Sequence, residues 1–218
     1  MDKHFYLKLV YSKWTLIFTA IVIVLNLASA LLLNPDTAGL MPVLNLANLF
    51  IVLYLTANYM NVHVLMTYNK SHEFFMALPA NKRDIIRTDY IFHIFMTLLS
   101  IFVIFTFSLV QDGFHHLFGM IMITGVNLLI ASLYYTFFAA EWFKNVNIMV
   151  ALYLVPMGFT FMFYYMPMLN LLGADLSTIP QWEFILYTLP YFVLAAGILT
   201  FAVTYFTAQK QAAKSDVI

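Results

Sequence analysis

The chain has 218 residues, 63% of them hydrophobic and 9% charged, with ten Lys and Arg balanced by ten Asp and Glu. Charged residues make up about a quarter of an ordinary soluble chain, so this composition excludes a soluble domain and makes lipid the solvent. There is no cysteine, which excludes a disulfide framework and a thiolate metal site.

The first thirteen residues form an amphipathic segment. His4, Lys8 and Ser12 recur every four residues on one face, and Phe5 and Leu9, with Tyr6 and Val10, occupy another. With Trp14 following, this reads as a short helix in the inner membrane interface, or as a basic stub that only sets orientation. A hydrocarbon core of about 30 Å needs roughly 20 apolar residues in a helix. Six stretches meet that requirement, at 14–33, 40–67, 90–110, 114–140, 148–169 and 184–207. Ala28-Ser29-Ala30 resembles a signal-peptidase site, but Leu31 to Leu33 continue the apolar run to spanning length, so an intact span is expected. Turn and breaker residues separate the spans: Asn34-Pro35-Asp36, Asp112-Gly113, and the stretch from Gly173 to Pro180.

Charge then orients these spans. All ten basic residues fall before span one (Lys3, Lys8, Lys13), after span two (Lys70, Lys82, Arg83, Arg87), after span four (Lys144) or in the tail (Lys210, Lys214). The other three connectors hold Asp36, Asp112, Asp175 and Glu183 and no base. Basic residues concentrate on the cytoplasmic side of short-looped membrane proteins, which puts both termini in the cytoplasm. The expected fold is an all-α membrane protein, with residues 1–218 forming one transmembrane domain.

The connector 68–89 is the one substantial polar segment. Ser71 to Leu78 can make two helical turns, ended by Pro79, which has no N–H to donate. Asn81 then reads as an N-cap, with Asp84 three residues on. A second helix is expected from Lys82 straight into span three, about 43 Å long at 1.5 Å per residue, so that it projects from the bilayer. Phe74, Phe75, Met76 and Leu78 form an apolar cluster in otherwise polar surroundings, which marks either a docking surface for a partner or a contact with lipid headgroups.

The run Leu78-Pro79-Ala80-Asn81-Lys82-Arg83-Asp84-Ile85-Ile86-Arg87-Thr88-Asp89-Tyr90 resembles a segment of ABC-2 type transporter permeases. In that family it follows the second of six membrane helices and forms the coupling helix that touches the ATP-binding subunit. Thr88 stands where the family often has glycine, and Asp89 where it often has a basic residue. The resemblance implies that Glu73, Phe74, Phe75, Met76, Leu78, Pro79, Ala80, Lys82, Arg83, Ile85 and Ile86 contact cytoplasmic ABC ATPase subunits. It further implies a second permease copy or homologue, a multi-pass location in a bacterial cell membrane, and ATP and Mg held by the partner ATPase. Small members without large extracellular domains include exporters of amphipathic peptides, such as phenol-soluble modulins, and of antimicrobial peptides.

The chemistry missing from the chain agrees with that division of labour. No phosphate loop of the form G-x-x-x-x-G-K-[ST] occurs, so ATP hydrolysis is expected on another polypeptide. No H-E-x-x-H helix or buried carboxylate pair offers catalysis, and the adjacent His115 and His116 do not share a helix face, so no catalytic or metal residue is expected and no nucleic-acid partner. His63 and His93, near the inner ends of their spans, read as interfacial hydrogen-bonding groups rather than proton relays. Span two carries Asn45, Asn48, Asn58 and Asn61, which either pack against neighbouring helices or line a substrate path. Residues 161–166, Phe-Met-Phe-Tyr-Tyr-Met, give span five a soft aromatic stretch before Pro167, adaptable to irregular apolar ligands. A path without fixed charge suits lipophilic or amphipathic cargo. The competing class is a membrane immunity or sensor protein that binds a partner without transport.

Overall fold

A computed structural model describes residues 3–32, 40–68, 82–110, 115–139, 146–165 and 181–215, all of them helical or in short turns. The helices are α1 (Lys3–Tyr11), α2 (Lys13–Leu32), α3 (Met41–Tyr68), α4 (Lys82–Ser108), α5 (His115–Ala139), α6 (Val146–Thr160) and α7 (Leu189–Ser215). Two π-helical turns, Phe161–Tyr165 and Phe184–Thr188, extend α6 and lead into α7. Among the described residues five helices are long and apolar enough to cross a membrane: α2, α3, α4, α5 and the helix that ends in α7. The expected span 148–169 is represented by α6 and its π turn, whose apolar part, Val150–Tyr164, is shorter than the other five. Residues 166–169 of that expected span lie outside the described residues.

Helix α4 begins at Lys82 and runs unbroken to Ser108, as the charge pattern and Asp84 in its first turn suggest. Helix α7 goes two turns past the expected end at 207, because Ala208 and Ala212 are buried against the bundle while Lys210 and Gln211 stay exposed. Helix α5 is the most enclosed of the spanning helices, and α2 and α7 are the least. Apolar side chains such as Phe18, Leu25, Leu199 and Phe206 are exposed on the outer helices, as a lipid-facing surface requires.

The tightest pairing is α5 on α7, and glycines explain it. A Cβ on Gly125 would lie 2.7 Å from the Leu194 backbone nitrogen, and one on Gly197 would lie 2.8 Å from the Gly125 carbonyl oxygen. Small residues let membrane helices approach backbone to backbone, where dispersion contacts replace the hydrophobic driving force that lipid cannot supply.

Polar side chains cross-link the remaining helices at three levels. Asn26 and Asn48 exchange two amide hydrogen bonds of 2.8 Å between α2 and α3, and Asn26 Nδ2 also donates to Thr106 Oγ1 of α4 at 3.0 Å. Asn127 Nδ2 of α5 donates to Thr56 Oγ1 of α3 at 2.6 Å. Nearest α1, Asn58 Nδ2 donates to Ser12 Oγ at 2.6 Å and Asn58 Oδ1 accepts from Thr15 Oγ1 at 3.3 Å. Each such bond contributes on the order of 1 kcal/mol, because a membrane-dispersed chain also finds partners for its polar groups.

The π turn before α7 has a local cause. Pro190 carries no N–H, so the carbonyl four residues back, on Leu186, loses its helical donor. Tyr164 supplies the substitute: its hydroxyl donates to Leu186 O at 2.9 Å, from the π turn that follows α6. In hydrocarbon such a replacement is needed, since no water can serve the freed carbonyl.

Candidate functional site at the junction of α1 and α4

Helix α1 turns its polar face inward. His4, Lys8 and Ser12 are buried, whereas Tyr6, Val10 and, at the start of α2, Trp14 are exposed. The segment is amphipathic as expected, with the sense opposite to that of a helix floating at a membrane surface. At the centre of the inward face Lys8 Nζ lies 2.6 Å from Asp89 Oδ1, with both side chains almost fully enclosed. Neither atom has a hydrogen bond of good angle, so charge holds the pair. It is the one ion pair among the described residues of the bundle interior. The Lys8 ammonium also sits 5.4 Å from the Phe92 ring centre, a cation–π contact, and Phe5 meets Phe92 and Phe95 edge-on at 6.0 and 6.1 Å. Phe92 lies three residues beyond Asp89, on the same helix face, so a single stripe of α4 meets both Lys8 and Phe5 of α1.

Behind this junction an aromatic cluster ties together α3, α4, α5 and α7. Tyr90 meets Phe201 and Tyr135 at a tilt and Tyr205 edge-on, at 4.7 to 5.1 Å, and His93 lies 4.9 Å from Phe201 and 5.1 Å from Tyr59. His93 is therefore not the interfacial hydrogen-bonding group expected from its place near a helix end. It is buried among rings, and its Nε2 has no hydrogen-bond partner among the described residues. The Tyr135 hydroxyl donates to the Asp89 backbone carbonyl at 3.4 Å, linking the cluster to the ion pair. On the other side of α4, Gln209 Nε2 of α7 donates to the Arg83 carbonyl at 3.1 Å. The first two turns of α4 are thus held by α1, α5 and α7 together.

The residues expected to contact an ATPase divide in three. Glu73, Phe74, Phe75, Met76, Leu78, Pro79 and Ala80 lie outside the described residues, as does the side chain of Lys82, which opens α4. Arg83 is exposed and Ile85 half-buried. Ile86 is turned inward and packs in the cluster with Tyr59, Tyr90, Ala208 and Ala212, so its side chain is committed within the chain. Of the four asparagines, Asn48 and Asn58 are buried in the interhelical bonds described above. Asn61 is half-buried and donates to Tyr54 Oη at 3.2 Å on its own helix, and Asn45 is half-buried with a sequestered Oδ1. Sequence reasoning missed Asn26, Thr106 and Asn127; the signal for the two asparagines was that each is the one amide side chain of its span. Among the described residues no three His, Asp or Glu side chains gather where one metal ion could be held.

These features define a multi-pass membrane protein whose spans are cross-linked by buried asparagines and threonines and whose α1 is tied by an ion pair to the base of α4. The chain belongs to the ABC-2 family transporter proteins, whose family model matches residues 3–211. That match covers α1, the long helices up to residue 211 of α7, and the junction between α1 and α4. No curated protein and no solved structure shows significant similarity to the chain. Membership implies a permease that associates with an ABC ATPase.

Proposed function

We propose that this chain is the permease subunit of a bacterial ABC exporter, set in the plasma membrane with six spans and both termini cytoplasmic. Helix α6 with its π turn would be the sixth crossing. Two copies, or one copy and a homologue, would pair, with ATP and Mg bound and hydrolysed by separate ATPase subunits below. The apolar interior favours a lipophilic or amphipathic cargo, and amphipathic peptides are the class we favour. The observation that supports this reading most is the mechanical continuity of α4. One helix runs from the Lys82 end, next to the segment that resembles a coupling helix, to Ser108 at the far end of the bundle. A push on its first turn would travel through the Lys8–Asp89 contact into α1 and through the Gln209–Arg83 contact into α7.

The test is reconstitution with the ATPase. A buried aromatic anchor at an interface contributes about 2 kcal/mol or more, roughly thirtyfold in affinity. Phe74→Ala with Phe75→Ala should abolish co-purification of the ATPase while the protein still inserts. Lys82→Ala with Arg83→Ala should weaken the complex in a salt-dependent way. A normal complex with the double phenylalanine variant would show that those rings rest on lipid instead.

A further inference from the structure

Between α4 and α7 a groove of ≈ 570 Å³ opens sideways, away from the bundle interior. Its walls are Ile94, Leu98 and Ile101 on α4 and Ile198 and Phe206 on α7, and its floor is Leu128 of α5. All five wall side chains are exposed. One end of the groove is different. Arg87 lines it there, and Arg87 is exposed and makes no ion pair among the described residues. Asp84, one turn back on α4, is exposed and likewise forms no ion pair with it. Arg83, four residues before Arg87, and Lys210, four residues after Phe206, fall on the same faces of their helices at the same end. The groove thus has an apolar body and a cationic mouth.

From this geometry we infer that the groove binds an anionic phospholipid, one acyl chain lying between α4 and α7 and the phosphate on the Arg87 guanidinium. Length supports the assignment. From Arg87 to Ile101 α4 rises about 21 Å at 1.5 Å per residue, against about 15 Å for half the hydrocarbon core. A guanidinium at headgroup level therefore leaves a channel longer than the hydrocarbon thickness of one leaflet. The guanidinium fork matches phosphate oxygens two at a time, and a zwitterionic headgroup, which offers the same oxygens, is disfavoured by the cation it brings beside Arg87. A second copy of the chain fits the groove poorly. Membrane helices dock where small side chains let backbones approach, and apart from Ala202 on α7 these walls are branched or aromatic.

The experiment uses the full chain without any ATPase, in vesicles doped with either phosphatidylglycerol or phosphatidylcholine carrying a photoreactive group on one acyl chain. Adducts are mapped by peptide mass spectrometry. Adducts should concentrate within residues 91–101 and 194–206 and favour the anionic probe about tenfold, since only the phosphatidylcholine headgroup brings a cation near Arg87. Arg87→Gln should remove that preference, Arg87→Lys should keep part of it, and Ala202→Trp should clear both probes from the groove. Equal labelling by the two probes, adducts spread evenly over the lipid-facing helices, or a groove occupied by a cross-linked second copy would overturn the inference. The readout needs no partner, so it stands or falls apart from the assignment of this chain to an ATP-driven exporter.

Discussion

Lys8 and Asp89 meet at 2.6 Å in the interior of the helix bundle, far apart in sequence and with both side chains almost fully enclosed. A pair so enclosed lacks the screening that makes surface ion pairs weak, and its two members depend on one another. Removing one leaves an uncompensated charge in apolar surroundings. Lys8→Ala and Asp89→Ala should each destabilise the protein by about 3–5 kcal/mol, measured by unfolding in detergent. Lys8→Met with Asp89→Leu should recover most of the loss, since an apolar pair of similar volume carries no desolvation cost. Equal losses in the single and double variants would mean that α1 is held by Phe5 and its rings alone.

The glycine contacts between α5 and α7 supply a test with its own control. Gly125→Ala and Gly197→Ala each place a methyl group against backbone atoms at 2.7 and 2.8 Å, which α7 can only answer by moving away. Each should cost about 1–3 kcal/mol. Gly158→Ala, on α6, meets nothing within 4 Å. It should be neutral or stabilising by up to about 1 kcal/mol, the helix-propensity gain over glycine. Thermal unfolding of the three variants side by side would separate close packing from propensity.

The amide pair of Asn26 and Asn48 is a packing device by its geometry. Asn48→Ala should lower stability by about 1 kcal/mol and leave cargo selectivity unchanged in reconstituted vesicles. A shift in selectivity at unchanged stability would instead put Asn48 on the path of the cargo.

Orientation is checked by labelling. Cysteine introduced at Asp36, Asp112 or Asp175 should react with a membrane-impermeant maleimide added outside intact cells, and cysteine at Lys82 should not. Reaction at Lys82 from outside would reverse the orientation drawn from the basic residues.

Much of this architecture could be read from the residues. Span length and the start of α4 follow from apolar run length and from the polar residues at 81–84, which are local signals. The inward sense of α1 could not be read in the same way. Periodicity says that His4, Lys8 and Ser12 share a face, and nothing about which neighbour that face meets. Lys8 looked like one more orienting charge, and Asp89 like an isolated departure from the basic residue that related permeases often carry. Taken together they were a signal, because a carboxylate at the mouth of a span needs a cation, and the helix preceding span one offers one. The π turn at Phe184–Thr188 was hidden for a similar reason: Pro190 marks a freed carbonyl, but its replacement donor, Tyr164, comes from another helix.

The burial of Lys8 also changes what α1 can respond to. A helix that floats on headgroups takes its height from lipid charge and drifts with bilayer composition. Here Lys8 is spent on Asp89, and Lys3, Tyr6 and Val10, with Lys13 and Trp14 just beyond, are left facing outward. The helix acts as a strut whose firmest attachment is to α4, so a tilt of that span of a few degrees would carry those side chains with it.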